Sequence, residues 1–360
     1  MTRTNPLAQT AAQRSRLWPK LFISIGLGAL FAWIAQRGGV PIVPKASSFH
    51  EVDWSGVGLA TVLLFLLTVL RATRWRFLIA PVKELPLGEV ILVNWVGFFA
   101  IFALPLRLGE LARPALSKLR SGIPISAGLG TVAVERVLDG TVTSGCVAWA
   151  LWMLPRLHPS DPIARAVPFY AGVVLTVFVC ALCALAAFLW QRDLAVRLTE
   201  RVFTSISPSL GGKLAQKVDS VADGLRSIRE PRLALGFVFE TLLYWAINAC
   251  FMWVLGLACG LPMQLGHAIA VMGVLALGIL LPSGPGMFGS FQVAVSAALK
   301  LYFVESLVGT QGSVFVFLLY ALNALMMVAI GVVPLLRMQI GLSELIAPRI
   351  GDSELPPPRR

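Results

Sequence analysis

Charged side chains in apolar surroundings are the residues of this sequence best suited to chemistry. One group lies in "ALPLRLGELARPAL", where an apolar run breaks at a Leu-Pro pair and continues as a basic segment. The other lies in "TVAVERVLDG", within a later apolar run. A charge at the centre of a bilayer costs several kcal/mol, so it normally faces a partner or a cavity. The members are Arg107, Glu110, Arg113, Glu135, Arg136 and Asp139.

Two interpretations of these charges stay open, and both can hold at once. Glu135 and Asp139 share one face of a helix, because they stand four residues apart. In the structural interpretation they form salt bridges, such as Arg107–Glu135 or Arg113–Asp139, that hold the broken segment in place. In the functional interpretation Arg107 and Arg113 bind an anionic phosphate, since a planar guanidinium donates two hydrogen bonds to it.

A glycine-rich turn, "LPSGPGMFGSFQ", follows a second apolar run and carries no charge. Free backbone N–H groups in such a turn, with the N-terminus of the following helix, suit an anion. A tight turn that permits close helix packing is the alternative interpretation. The candidate headgroup-binding residues therefore also include five residues of this turn, together with Gly109 of the first interrupted run. The five are Ser283, Gly284, Gly286, Gly289 and Gln292.

Other polar residues in the apolar runs have simpler interpretations. Three arginines end the second apolar run and are predicted to be interfacial anchors, with Arg74 hydrated. Three asparagines are predicted to form interhelical hydrogen bonds. The arginines are Arg71, Arg74 and Arg76, and the asparagines are Asn94, Asn248 and Asn323. No nucleophile–base set, phosphate loop or dinucleotide motif occurs, so we expect no catalytic residues, cofactor or metal.

Composition predicts the structural class that must position these residues. The chain has 360 residues, of which 57% are hydrophobic and 13% charged, and its mean hydropathy is +0.79. Soluble domains have roughly 25% charged residues. Several apolar runs have the length of bilayer-spanning helices. We therefore predict an all-α polytopic membrane protein, and we assign the net charge of +12 to its loops rather than to nucleic-acid binding.

Six apolar runs are predicted to be full spans, and two interrupted runs are predicted to be re-entrant hairpins. The hairpins, near Val90–Leu104 and Gly266–Leu281, are required by the distribution of Lys and Arg, which favours the cytoplasm. If the first of them crossed fully, the basic loop 191–232 would lie outside. The predicted spans are Trp18–Ala35, Trp54–Leu70, Ile125–Leu154, Val167–Trp190, Leu233–Cys259 and Ser313–Leu336.

The order of these elements predicts an inverted repeat. Span, span, hairpin and span occupy residues 18–155 with a hairpin at 90–120, and the same order occupies residues 167–337 with a hairpin at 266–304. Residues 1–17 and 338–360 are predicted to be cytoplasmic tails. Inverted repeats with short segments interrupted by Gly or Pro are typical of transporters, which bind substrate at the repeat interface.

The sequence resembles the lysylphosphatidylglycerol synthase transmembrane-region family, also called flippase-like membrane proteins. The resemblance covers roughly residues 20–340. It is carried by "RATRWRFLIAP", "NWVGFFAIFALPLRLGELARPAL", "TVAVERVLDG" and "LPSGPGMFGSFQ". Its most specific parts are the R-x-G-E-x-x-R element beginning at Arg107 and the E-R-x-x-D element beginning at Glu135.

This resemblance implies a function in moving lipids or lipid-linked sugars across a bilayer. We expect a bacterial-type inner membrane protein with cytoplasmic termini that moves an anionic or glycosylated lipid between leaflets. A non-transporting partner of a membrane synthase or glycosyltransferase is the alternative. We expect no soluble aminoacyl-transferase domain, because the segment after Arg337 is short. Gln292 stands where the resemblance predicts a glutamate, so we expect no acid–base role at this position.

Overall fold

The computed structural model describes residues 26, 43–104, 109–153, 162–190, 230–280 and 284–338. These residues form helices and turns and contain no strand. Short helical turns occupy Ala46–Phe49, Pro285–Met287, Glu305–Leu307 and Val308–Gly312. The longer helices are α1 (Trp54–Thr73), α2 (Trp75–Ile79), α3 (Leu87–Ala103), α4 (Ala112–Ser121), α5 (Ile125–Met153), α6 (Pro162–Trp190), α7 (Pro231–Ala258), α8 (Leu265–Gly278), α9 (Ser290–Lys300) and α10 (Ser313–Met338).

Four helical segments are long and apolar enough to cross a membrane, so the chain is a multi-pass, all-α membrane protein. They correspond to four of the six predicted spans and are Trp54–Ile79, Arg165–Ala184, Pro231–Ala258 and Glu305–Val332. Helix α5 matches a fifth prediction in extent but carries the three charges of "ERVLD". The predicted span Trp18–Ala35 lies outside the described residues. The count of six spans stays a prediction.

Helices α1 and α7 pack side by side in antiparallel directions. At one end the Asp53 N–H donates to the Ala258 carbonyl oxygen over 2.9 Å. At the other end the Thr73 hydroxyl donates to the Glu240 carboxylate over 3.0 Å. These contacts define two ends of the molecule, which we name the Ala258 end and the Glu240 end.

The first interrupted run is a helix, a break and a second helix. Helix α3 ends where Leu104 adopts extended angles, φ −89° and ψ 140°, because a following proline disfavours the helical conformation. The returning chain passes directly against α3 at Gly109, where a Cβ atom would overlap the backbone of Ala100. Helix α4 then ends at Gly122, whose φ of +67° favours glycine.

The two ends of this helical pair lie together. The Ser121 hydroxyl donates to the Glu89 carboxylate over 2.8 Å. The Lys83 ammonium donates to the Ser121 carbonyl oxygen over 2.9 Å. Residues 89–121 therefore begin and end beside the chain that leaves α2, at the Glu240 end. This is the geometry expected of the predicted hairpin, while its entry into a membrane stays a prediction.

The second interrupted run is a helical pair that opens at the opposite end. Helices α8 and α9 flank the glycine-rich turn, and the His267 ring lies 5.1 Å from the Tyr302 ring between centroids. His267 follows the loop after Ala258, so this pair opens at the Ala258 end. Its turn meets α3 in the interior, where a Cβ atom at Gly286 would lie 3.1 Å from the Phe102 ring. Two pairs that open at opposite ends fit an inverted repeat, which stays a prediction.

We predict that Lys118→Cys and Glu84→Cys are labelled from the same side of the membrane, and Glu51→Cys from the other side. All three positions are exposed, and the hairpin geometry places the first two at the Glu240 end. The measurement is reaction with an impermeant maleimide, on intact cells and on inverted vesicles, after replacement of the five native cysteines. Labelling of Lys118→Cys together with Glu51→Cys would show that the first interrupted run crosses fully.

Candidate functional site

Arg74 is the centre of a buried ion-pair network. Its side chain has no exposed surface. Its two terminal nitrogens donate to the two carboxylate oxygens of Asp139, each over 2.7 Å. One of them also donates to Glu135 over 2.9 Å. A guanidinium fits this arrangement because its planar fork matches a carboxylate with two parallel hydrogen bonds.

Glu135 bridges Arg74 to a second buried arginine. Its other carboxylate oxygen lies 2.7 Å from a terminal nitrogen of Arg113. Arg113 in turn donates to the Asn94 amide oxygen over 2.8 Å. The network therefore joins α3, α4 and α5 to the junction between α1 and α2. Because the bilayer interior cannot solvate such charges, this pairing is what permits them to be buried.

Helix α7 completes the network with neutral donors and acceptors. The Trp245 indole N–H donates to Asp139 over 3.1 Å, and Arg74 donates to the Thr241 hydroxyl over 3.3 Å. Arg136 points elsewhere and pairs with Glu110 over 3.2 Å, where both side chains are about a quarter exposed. No group of three His, Cys, Asp or Glu side chains suited to a metal ion occurs within the described part of the chain.

The prediction that Arg74 is a hydrated anchor is wrong. The helical path continues beyond the predicted end of the span at Leu70, so Arg74 is enclosed by α5 and α7 instead of reaching water. The predicted pair Arg113–Asp139 is also wrong, because Arg113 contacts Glu135. Arg107 lies outside the described residues. Two acids in one apolar helix require cations nearby, but this signal did not identify Arg74 as one of them.

A cavity of about 220 Å³ lies beside the network, between the C-terminal part of α3 and the glycine-rich turn. Arg71 and Arg136 line its charged part, together with Asp139. The Arg71 guanidinium carbon lies 4.2 Å from the centroid of the Phe98 ring, and its Nε atom is buried without a hydrogen-bond partner. Arg71 forms no ion pair with any residue that the structure describes. One Arg136 terminal nitrogen is likewise buried without a hydrogen-bond partner.

Uncharged polar groups line another part of the same cavity. Asn248 is 9% exposed, and its amide has no hydrogen-bond partner in the described ranges, which contradicts the interhelical bond predicted for it. Asn323 donates to the Leu319 carbonyl oxygen over 2.8 Å, within its own helix. Only Asn94 forms the predicted bond to another helix. The sequence did not identify Arg71 and Asn248 as cavity residues. Arg71 has the pattern of an interfacial anchor, and Asn248 has the pattern of a residue that bonds to a neighbouring helix.

The glycine-rich turn contributes backbone to the cavity. Gly286 and Met287 line it, with positive φ angles of 70° and 58°. Gly284 and Gly289 are buried beside them. The Gln292 side-chain oxygen accepts from the Gly289 N–H over 2.7 Å, so Gln292 caps α9. Ser283 lies outside the described residues.

Comparisons with known proteins point to one family. The family model described as Lysylphosphatidylglycerol synthase TM region matches residues 20–331. The matched range includes the whole ion-pair network and every described residue that lines the cavity. No curated protein and no solved structure matches the chain.

Proposed function

The chain belongs to the lysylphosphatidylglycerol synthase TM region family, and from this premise we propose that it moves an anionic or glycosylated lipid between the leaflets of a bacterial-type inner membrane. Both termini are proposed to lie in the cytoplasm. The observation that carries the proposal is an arginine without an ionic partner among the described residues, Arg71, which lines a largely apolar cavity. In a medium of low dielectric constant, such a cation favours an anionic ligand.

The charge balance of the site supports the same conclusion. Its described ionic side chains are four arginines and three carboxylates, which leave one positive charge in excess. Arg74 and Arg113 form ion pairs with the carboxylates of the network, and Arg136 pairs with Glu110. The excess positive charge is therefore at Arg71, which lines the cavity. A lipid phosphate supplies the missing anion, and the apolar walls accommodate the parts of the lipid next to it.

The buried network has a supporting role in this proposal. Arg113 was predicted from the sequence to bind phosphate, but its contacts with Glu135 and Asn94 favour a structural role. The network keeps α1, α3, α4, α5 and α7 in register beside the cavity. We propose no catalysed bond change, because Asp139, the one acid among the described lining residues, is already engaged by Arg74 and is not free to act as a base.

We expect Arg71→Gln to lower the rate of lipid translocation about tenfold, the effect of losing one charge-assisted hydrogen bond. The measurement is dithionite quenching of fluorescent phosphatidylglycerol in proteoliposomes that contain the purified full chain. Arg76→Gln is the matched control, because the Arg76 side chain is 41% exposed, pairs with Glu240 and does not line the cavity. This control is expected to retain the original rate.

Translocation no faster than in protein-free liposomes would contradict transport by this protein. Lipid binding without translocation would instead favour the alternative, a non-transporting partner of a lipid synthase or glycosyltransferase. Equal translocation rates for the original protein and Arg71→Gln would show that Arg71 does not contribute to the proposed translocation.

A further inference from the structure

We infer that the cavity selects a monoanionic phosphodiester lipid whose headgroup carries uncharged hydroxyl groups, and that it disfavours headgroups with an ammonium. The inference rests on the proposed lipid-handling function and specifies the lipid. It comes from three features of the cavity: one unpaired cation, the absence of a free carboxylate among its described lining residues, and an unpartnered amide.

The unpaired cation sets the charge of the ligand. Arg71 lines the cavity, stacks on Phe98 and has a buried Nε atom that lacks an acceptor. One excess positive charge is neutralised by one negative charge, which a phosphodiester carries near pH 7. A phosphomonoester carries about −1.5 to −2 at this pH. It would bring a second charge that the described lining does not balance.

The carboxylates near the cavity are already engaged. Asp139 is the one acid among the described lining residues. Both of its oxygens accept from Arg74, and one also accepts from the Trp245 indole. A lipid ammonium would find no free anion here, and it would lie near the positive charges of Arg71 and Arg136. Like charges in such a site repel each other.

The unpartnered amide sets the chemistry of the headgroup. Asn248 is nine-tenths buried, lines the cavity and lacks a hydrogen-bond partner among the described residues. An amide left in this state costs free energy unless a ligand pairs with it. It both donates and accepts, which suits a hydroxyl group. Asn323 and Tyr320, which also carry polar groups, line the same cavity.

The positions of the cation and the amide suit one headgroup. The contacts of Thr73 with Glu240 and of Asp53 with Ala258 fix how α1 and α7 align. In this alignment Asn248 is level with a residue six to eight positions before Arg71, or about 9–12 Å away along the helix axis. The long arginine side chain shortens this separation. A phosphate at Arg71 can therefore extend a hydroxylated substituent toward Asn248.

The walls of the cavity favour a lipid over a soluble phosphodiester. They are formed by aromatic rings, methionines and aliphatic side chains from α3, α8 and α9, including Phe98, Phe102, Met272, Leu275 and Phe291. Such surface gains free energy when it contacts acyl or glycerol carbon atoms instead of water. A soluble headgroup alone would leave this surface without a partner.

The test measures lipid binding to the purified full chain in detergent by native mass spectrometry. The probes are phosphatidylglycerol, phosphatidylmethanol, phosphatidylethanolamine, lysylphosphatidylglycerol and phosphatidic acid. We expect phosphatidylglycerol to bind tightest. Phosphatidylmethanol has the same phosphodiester charge without a headgroup hydroxyl, so it is expected to bind about fivefold more weakly, the effect of one neutral hydrogen bond.

Two substitutions separate the contributions of charge and amide. Arg71→Gln is expected to weaken both anionic diesters about tenfold or more. Asn248→Leu is expected to weaken phosphatidylglycerol to the level of phosphatidylmethanol and to leave phosphatidylmethanol unchanged. Arg76→Gln is the control for the first variant. Gln311→Leu, at a half-buried position of the Ala258 end that does not line the cavity, is the control for the second.

Several outcomes would overturn the inference. Tightest binding of lysylphosphatidylglycerol, phosphatidylethanolamine or phosphatidic acid by the original protein would do so, whatever the variants show. Equal weakening of both diesters by Asn248→Leu would contradict the contact between Asn248 and a headgroup hydroxyl. Binding of soluble glycerophosphoglycerol as tightly as phosphatidylglycerol would contradict the conclusion that the ligand is a lipid. If the protein showed this selectivity but no translocation, only the proposed transport would be contradicted. If it translocated lipid without this selectivity, only the headgroup assignment would be contradicted.

Discussion

Glu135→Gln is expected to cost about 3–5 kcal/mol of unfolding free energy, because breaking a buried ion pair leaves an uncompensated charge behind. Glu135 accepts from Arg74 on one oxygen and contacts Arg113 with the other. The amide keeps the shape of the side chain but removes its charge. Among the described residues, Arg113 then retains only the neutral Asn94 as a side-chain hydrogen-bond partner. The midpoint of unfolding by heat or SDS in micelles measures this loss.

Glu89→Gln is the matched control for this prediction. Glu89 lies 3.6 Å from Arg120, and both side chains are partly exposed. Exposed pairs of this kind contribute about 0–1 kcal/mol, so the control is expected to change stability little. If Glu135→Gln were as stable as the control but bound lipid more weakly, Glu135 would belong to the binding site instead of the scaffold.

Arg74→Ala is expected to destabilise the fold at least as much, by about 3–5 kcal/mol. The substitution removes both guanidinium hydrogen bonds to Asp139 and one to Glu135, where the side chains of Arg74 and Glu135 have no exposed surface. Arg74→Lys is expected to rescue only part of this loss, since an ammonium cannot form the two parallel bonds that the guanidinium forms with Asp139. The same unfolding measurement applies, with expressed yield of folded protein as a second readout.

Arg76→Ala is the control here, because Arg76 is two residues away and its side chain is partly exposed. Addition of Asp139→Asn to Arg74→Ala should cost less than the two changes made separately. Residues in one buried network show interaction energies of about 0.5–3 kcal/mol. Additive losses would show that Arg74 and Asp139 act independently, against the geometry of the network.

The sequence predicted the helical class and both breaks, for identifiable physical reasons. Apolar runs without charges have few other structures available in a bilayer. The break after Leu104 follows from the proline at 105, and the second break follows from the glycines between residues 284 and 289. The shared face of Glu135 and Asp139 also follows from their spacing, and the structure confirms it, since both bind Arg74.

The partners of these acids were not predictable in the same way. Helical spacing tells which face a side chain occupies, but the choice of partner depends on how helices distant in the chain pack together. Arg74 ends an apolar run, which is also typical of an interfacial anchor. Asn248 resembles any polar residue in a span, and only the cavity beside it distinguishes its role. Local sequence pattern therefore predicts the helices and their breaks, whereas tertiary packing determines which residues form the site.

The order of the network along the chain has a consequence for how the protein is made. Arg74 and Arg113 precede Glu135 and Asp139, and the Arg74 pairs close over 61 and 65 residues, within the first half of the chain. A chain synthesised from its N-terminus therefore delivers both cations before the anions that neutralise them. Helix α5 finds its counter-charges already in the bilayer. Insertion of its three charges, which hydrocarbon alone would oppose, then needs no counter-charge from the second half.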